Sequence, residues 1–336
     1  RHSFPTRRSS DLENPEAQGN FVGSVAKIWQ GLMEAVEALE AAYANRGKLV
    51  GVPTGLTKLD GMIMGFKGPQ LVVMAGRPGM GKSAVLLNTA EAAARAGHGA
   101  LIYTLEMSVQ ELCQRFLGSV AEVDLQRFKD GFLSERDFSR ISAAVQPNMT
   151  LPLWLHATPG LSIQDLRAHA RAFKRTHPQV GAIFVDYLQL MRSNTRRAEG
   201  NRAQEIGEIT GGLKRLAMEL QIPIFAGAQL NRDAEEGRQP KLSQLRESGT
   251  IEQDADVVIL LHRPGYHVEG ADPTEALAIV AKQRNGPIGE VPLRFIGQYT
   301  RFLDADLEKT GEQKRFNEGR KKQQQQQWKD HARDQD

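Results

Sequence analysis

The chain has 336 residues, 40% of them hydrophobic, and a formal net charge of +3. That is enough for a real core in one large α/β domain with appendages or in two small ones, and too little charge to argue nucleic-acid binding without a local site. Its single cysteine, Cys113, excludes an intramolecular disulfide and a cysteine zinc site, which fits a reducing cytoplasm; no apolar run approaches the roughly 18 residues of a membrane span, and no charged-apolar-small leader opens the chain.

In chain order, the first dozen residues lack Met and periodicity. Residues 4–12 (FPTRRSSDL) resemble the in-frame translation of a ligation adaptor used in short-read DNA sequencing, so residues 1–23 are set aside as adaptor-derived or disordered. In residues 24–46, Ile28, Trp29, Leu32, Met33, Val36, Leu39 and Tyr43 recur at steps of three and four, with Glu34, Glu37 and Glu40 between them. This predicts an amphipathic linker helix, stopped by Gly47, whose apolar face covers either its own domain or a neighbouring subunit. Residues 50–66 are punctuated by glycine, and Gly68-Pro69 turns into an apolar strand at 70–75.

The strand runs into Gly76, Arg77, Pro78, Gly79, Met80, Gly81, Lys82 and Ser83, which fit GxxxxGK[ST], and a helix-forming segment follows at 84–95. Glycines in this pattern let backbone N–H groups turn inward around phosphate oxygens, the lysine reaches the terminal phosphates, the hydroxyl ligates Mg²⁺, and the helix adds its positive dipole end. The ligand expected from the pattern is a nucleoside triphosphate.

Further on, strands are predicted at 100–106, 152–157, 182–187, 223–229, 256–261 and 276–282, and helices at 109–120, 134–145, 163–176 and 203–220. A hairpin turn at Asn285-Gly286 leads to 290–295 and then 300–303. Cys113 falls in one of these helices and reads as a core residue. Strands alternating with helices around a phosphate loop give an α/β fold, a mostly parallel sheet covered on both faces, with the final hairpins as an antiparallel edge. Residues 306–336 turn polar and glutamine-rich and read as a disordered tail.

Triphosphate hydrolysis needs Mg²⁺, a group that orients water, and positive charge on the transition state. Asp186 ends an apolar strand, where a Mg²⁺-binding carboxylate belongs and where turn aspartates also occur. Glu106 ends the strand after the phosphate loop and should meet Asp186 in the crevice at the carboxyl ends of the strands, as a base on water or, more plainly, as the cap of the helix near Ser108. Gln229 ends a third strand, as a phosphate sensor or a satisfied buried amide. Lys282 and Arg284, two apart on one strand face, are solvated edge charges or a pair of fingers for a phosphate. The loop at 192–202 carries Arg192, Arg196, Arg197 and Arg202, an electropositive stretch read either as a nucleic-acid contact or, more simply, as solvated arginines.

Taken together, residues 51–60, the loop at 76–83, Thr104-Leu105-Glu106-Met107, residues 185–191 (VDYLQLM), residues 228–232 (AQLNR), residues 242–258 (LSQLRESGTIEQDADVV) and residues 282–286 resemble the C-terminal motor domain of DnaB-type replicative helicases, over roughly residues 47–304. The resemblance implies a RecA-like P-loop NTPase fold with its motor domain at 47–305, and a cytoplasmic, ATP- and Mg²⁺-dependent homo-hexameric ring moving 5′ to 3′ on single-stranded DNA. It implies that Lys82 and Ser83 bind phosphate and Mg²⁺, that Glu106 is the catalytic base, Asp186 the Walker B acid and Gln229 the sensor, and that Lys282 and Arg284 reach a neighbour's ATP. It places Arg246, Glu247 and Gly249 on the DNA backbone and docks the linker helix on the adjacent subunit. Contacts to phosphate rather than bases suit a motor that must not read sequence. The family's N-terminal collar is absent from this stretch, and primase and helicase loader are the partners implied through that region. A RecA or RadA-like recombinase and a non-motor ATP-dependent switch are the rivals; the 242–258 motif and the Lys282-x-Arg284 pair oppose the first, Glu106 and Arg284 the second.

Overall fold

The computed structural model describes residues 28–44, 49–193, 201–230, 239–245, 249–266 and 272–305. Residues 1–48 and 49–336 form separate units. In the first, α1 (Ile28–Ala44) is a regular helix whose large apolar side chains, Ile28, Leu32, Leu39 and Tyr43 among them, stand exposed.

The second unit carries β1 (Leu71–Gly76), β2 (Gly99–Thr104), β3 (Leu153–Ala157), β4 (Val180–Asp186), β5 (Ile224–Gln229), β6 (Val257–His262), β7 (Glu275–Gln283), β8 (Gly289–Ile296) and β9 (Arg301–Asp304). They form one sheet in the order β3-β2-β4-β5-β1-β6-β7-β8-β9. The first six pair in parallel and the last three add as antiparallel strands. Helices α2 (Thr57–Ile63), α3 (Lys82–Arg95), α4 (Val109–Ala121), α5 (Leu125–Asp130), α6 (Glu135–Asn148), α7 (Ile163–Thr176), α8 (Arg202–Leu220) and α9 (Gly249–Asp254) complete the described elements.

The strand period of two builds two cores from one sheet. In β1, Val72 and Met74 enter the cluster that holds Val85, Leu86 and Ala90 of α3, whereas Leu71, Val73 and Ala75 enter the cluster with Leu166 of α7 and Leu213 and Leu216 of α8. Every β1 residue is buried, as a strand covered on both faces requires. Burying both faces of the central strands makes β1 a rigid support for the loop that follows it.

Several expectations are corrected. The glycine-punctuated stretch at 50–66 holds α2, organised by Asp60, whose buried carboxylate accepts from the Thr54 hydroxyl and amide, each at 2.7 Å. Helix α5 lies in a stretch for which no element was predicted; none of its residues is buried, so it has no apolar period to read. The strand expected at 100–106 ends at Thr104. Cys113 is exposed rather than in the core, because the inward face of α4 is carried by its neighbour Leu112.

Candidate active site

Gly76 closes β1, and Gly81 caps α3 with φ of +95°, a left-handed conformation that glycine adopts without penalty. A Cβ on Gly81 would lie 2.9 Å from the Phe302 ring, so the turn has neither the conformation nor the room for a side chain. Met80 points the other way into the core, leaving its backbone as the part that can face a ligand. Lys82 Nζ donates to the carbonyls of Gly76 and Arg77 at 3.2 and 3.3 Å, folding the loop around its own ammonium. Burial pulls the Lys82 ammonium down from its ordinary range, and the Asp186 and Glu106 carboxylates act against that.

Parallel pairing sets the other groups at the same level. Gln229 lies opposite Gly76, and Asp186 opposite Thr104. Asp186 is buried, and its Oδ1 finds no hydrogen-bond partner among the described residues. Burial pushes its carboxyl up, the Ser83 hydroxyl opposes this, and the nearby Glu106 charge adds to it. An acid so placed is a strong attractor for a cation. Glu106 is two residues past β2, exposed, and lines a cavity of about 550 Å³ together with Lys82, Ser83, Tyr187, Gln229 and Arg115. Its plainer reading as a helix cap does not hold, since Ser108 caps α4 in a reciprocal box with Glu111.

Two groups escaped the sequence reading. Gln189 donates through Nε2 to the Gln229 carbonyl and accepts the Gln229 N–H at Oε1, both at 3.1 Å, so one side-chain amide fixes the backbone of the strand end. Arg263 lies 4.1 Å from the Phe295 ring and donates to the Gly79 carbonyl at 3.1 Å, bracing the loop from the β6 side. Gln189 stood within a quoted motif, and only its place after Asp186 hinted at a role; for Arg263 the sole signal was a cation directly after an apolar strand.

Lys282 and Arg284 do not join this cluster. Gln283 pairs with Val257, and Val257 lies beside Val72, whereas the phosphate loop leaves β1 from Gly76. The two cations therefore sit where β1 begins, at the opposite end of the sheet. Gly249 opens α9 with nothing among the described residues within 4 Å of where a Cβ would sit; Arg246 and Glu247 lie outside the described residues, as do Arg196 and Arg197. Arg202 is held by Glu205 and by the Gln189 carbonyl at 2.7 Å, and Arg192 joins a backbone bridge to Ser162. Arg202 is thus built into the fold, whereas the Arg192 side chain is exposed, as a solvated loop arginine would be.

The family profile of the DnaB-like helicase C terminal domain matches residues 51–304. The chain belongs to that family. The replicative DNA helicase DnaB of Geobacillus stearothermophilus is 36% identical over 294 residues, covering 86% of this chain and 64% of that protein. The chain thus spans somewhat less than two thirds of that relative. Among solved structures, one described as an ATPase domain superposes with a TM-score of 0.79 at 32% identity, over 84% of this chain and 100% of that one. A DnaB-like replicative helicase, described with its interactions with primase, gives 0.77 at 32% identity over 83% and 69%. The DnaB-like fold explains the sheet, parallel through its centre with an antiparallel edge, as RecA-like. Among the described residues, no helix is long and apolar enough to cross a membrane.

Proposed function

We propose that this chain is the ATP-hydrolysing motor of a replicative DNA helicase, working in the cytoplasm as a ring hexamer that moves 5′ to 3′ along single-stranded DNA. One observation carries the reading. Lys82, Ser83, Glu106, Asp186 and Gln229 converge around one crevice, while Lys282 and Arg284, the cations hydrolysis would still need, lie at the far end of the sheet. Each subunit then holds most of one ATP site and the remainder of its neighbour's.

In this reading the loop amides of residues 76–83 cradle the phosphates and the Lys82 ammonium offsets their terminal charge. The Ser83 hydroxyl and the Asp186 carboxylate would hold Mg²⁺, and the buried, unpartnered Asp186 oxygen suits that role. When bound, the ion neutralises charge on the β- and γ-phosphate oxygens. The exposed Glu106 carboxylate takes the proton of the attacking water. Gln229, its backbone fixed by Gln189, presents its amide to the γ-phosphate. The neighbour's Lys282 and Arg284 supply charge to the transition state. Arg246, Glu247 and Gly249 hold the DNA backbone, α1 lays its exposed apolar face on the adjacent subunit, and primase and loader bind through the region that precedes the motor in longer relatives.

The test is Mg²⁺-dependent ATP hydrolysis with and without single-stranded DNA, together with unwinding of a fork carrying a 5′ tail. Stimulated hydrolysis and unwinding, with rings by negative stain, are expected. A filament along DNA with no unwinding would favour the recombinase reading, and tight ATP binding with no DNA-stimulated turnover would favour a switch. Deleting residues 1–46 should weaken ring assembly by light scattering; an unchanged hexamer would remove α1 from the interface.

A further inference from the structure

The far end of the sheet is a constructed site rather than a pair of loose charges. Lys282 Nζ donates to the Ala255 carbonyl at 2.7 Å and also to that of Glu252. Arg284 donates through Nη2 to the Gln253 carbonyl at 2.7 Å. The last carbonyls of a helix lack intrahelical partners and carry partial negative charge, so the end of α9 is a natural seat for cations. Two cations side by side on one strand face would otherwise repel.

Asp256, directly before β6 and 7% exposed, ties this seat to the strand that carries the phosphate loop. Its Oδ2 accepts from the Leu71 N–H at 2.7 Å and from Lys214 Nζ at 2.6 Å. Its Oδ1 lies 3.5 Å from Arg284 Nε, and its backbone carbonyl accepts the Arg284 N–H at 3.0 Å. Arg284 is thereby held from both its backbone and its side chain. A guanidinium has five N–H donors in a rigid fork, so a fork held by the Nη2 hydrogen bond and by the ion pair beside Nε still has donors to give a phosphate.

We infer that Asp256 is a positioning residue for Arg284, fixing the guanidinium at the end of α9 so that it is presented ready-formed to the nucleotide of a second copy of the chain. The inference rests on the reading that Arg284 acts across a subunit interface. Without the carboxylate the fork keeps only its carbonyl contact and can rotate, and small misplacements of a charge-stabilising group cost rate without weakening nucleotide binding.

The experiment is complementation in mixed assemblies of the full chain, read as DNA-stimulated ATP turnover. Asp256→Asn alone should lower kcat about tenfold with the KM for ATP unchanged, and Arg284→Lys, which keeps the charge but loses the fork, should do the same. Lys82→Ala subunits have no working loop of their own but keep Arg284 and its seat. Mixed with Asp256→Asn subunits, they should restore turnover above the sum of the two alone, because intact loops then meet correctly held arginines. A defect of folding within the Asp256→Asn subunit would not be repaired this way. Adding Asp256→Asn to Arg284→Ala should cause no further loss.

Recovery in the Arg284→Ala plus Lys82→Ala mixture without recovery in the Asp256→Asn mixture would overturn the positioning role and leave the trans-acting arginine standing. Recovery in neither would remove the trans-acting arginine and this inference with it. Should Asp256→Asn fail to fold, Arg284→Lys decides, since full activity there means that the fork and its carboxylate partner are dispensable.

Discussion

The two ends of the central sheet are built on opposite principles. Where β1 ends, charged groups are gathered in excess of their partners: a buried carboxylate oxygen without a donor among the described residues, glycines packed too closely for a side chain, and an ammonium resting on its own loop carbonyls. Where β1 begins, the charged groups Asp256, Lys214, Lys282 and Arg284 bond to one another and to backbone carbonyls, and it is the neutral Gln283 Oε1 that lacks a partner among the described residues. A buried group left unsatisfied costs stability, which a binding site can recover when its ligand arrives. A satisfied charge network instead holds its members in place. The first end is arranged to receive a ligand, the second to hold cations in position for use elsewhere.

The largest test of this contrast is Lys82→Ala. If the phosphate-loop end is the receiving end, loss of the ammonium should lower ATP turnover by roughly 10³-fold or more while the apo domain keeps its melting temperature. Wild-type-like turnover would remove the loop from the chemistry.

Asp186→Asn should lower turnover by roughly 10²-fold yet raise apo stability by about 1 kcal/mol, since it removes a buried charge. The sign with pH follows from the raised carboxyl. Its folded pKa lies above the ordinary 3.8, so the folded state keeps the proton longer than the unfolded chain. The contribution of this group is therefore most favourable below that ordinary value and is lost as pH rises through the folded pKa. Urea denaturation across pH should show this decline in the wild type and its absence in Asp186→Asn. Equal slopes in the two would mean that the carboxyl is already satisfied.

What could be read in advance divides along the range of the interactions. The strands β1, β4 and β5 stand out as apolar runs, and helix α7 occupies the predicted residues 163–176 because its period of three to four and its Ser162 cap are local. The grouping of Lys82, Glu106, Asp186 and Gln229 was reachable because parallel strands carry their ends to one edge. Helix α5 had only its Asp124 cap and Gly131 stop to announce it. Gln189 and Arg263 act on residues 40 and 184 positions away, through contacts that exist only once the sheet has formed. The seat for Lys282 and Arg284 was hidden for the same reason, since its acceptors are mostly backbone carbonyls, which carry no residue-type signal.

The smallest effect should come from Lys214→Ala, and it bears most directly on whether the two ends are separate devices. The Lys214 ammonium bridges Asp256 at 2.6 Å and the Pro69 carbonyl at 2.7 Å, so it braces the approach to β1 from α8. Removing one partner of a well-buried pair commonly costs about 3–5 kcal/mol. Here Asp256 keeps the Leu71 N–H and the nearby Arg284, and the Lys214 side chain is 21% exposed, so about 2 kcal/mol is expected, measured by urea denaturation. ATP affinity should stay within about twofold, because Leu71 and the Gly76 that leads into the phosphate loop are opposite ends of β1. A larger fall in affinity would mean that strain at one end of β1 is passed along the strand to the other, and the holding end would then be part of the receiving one.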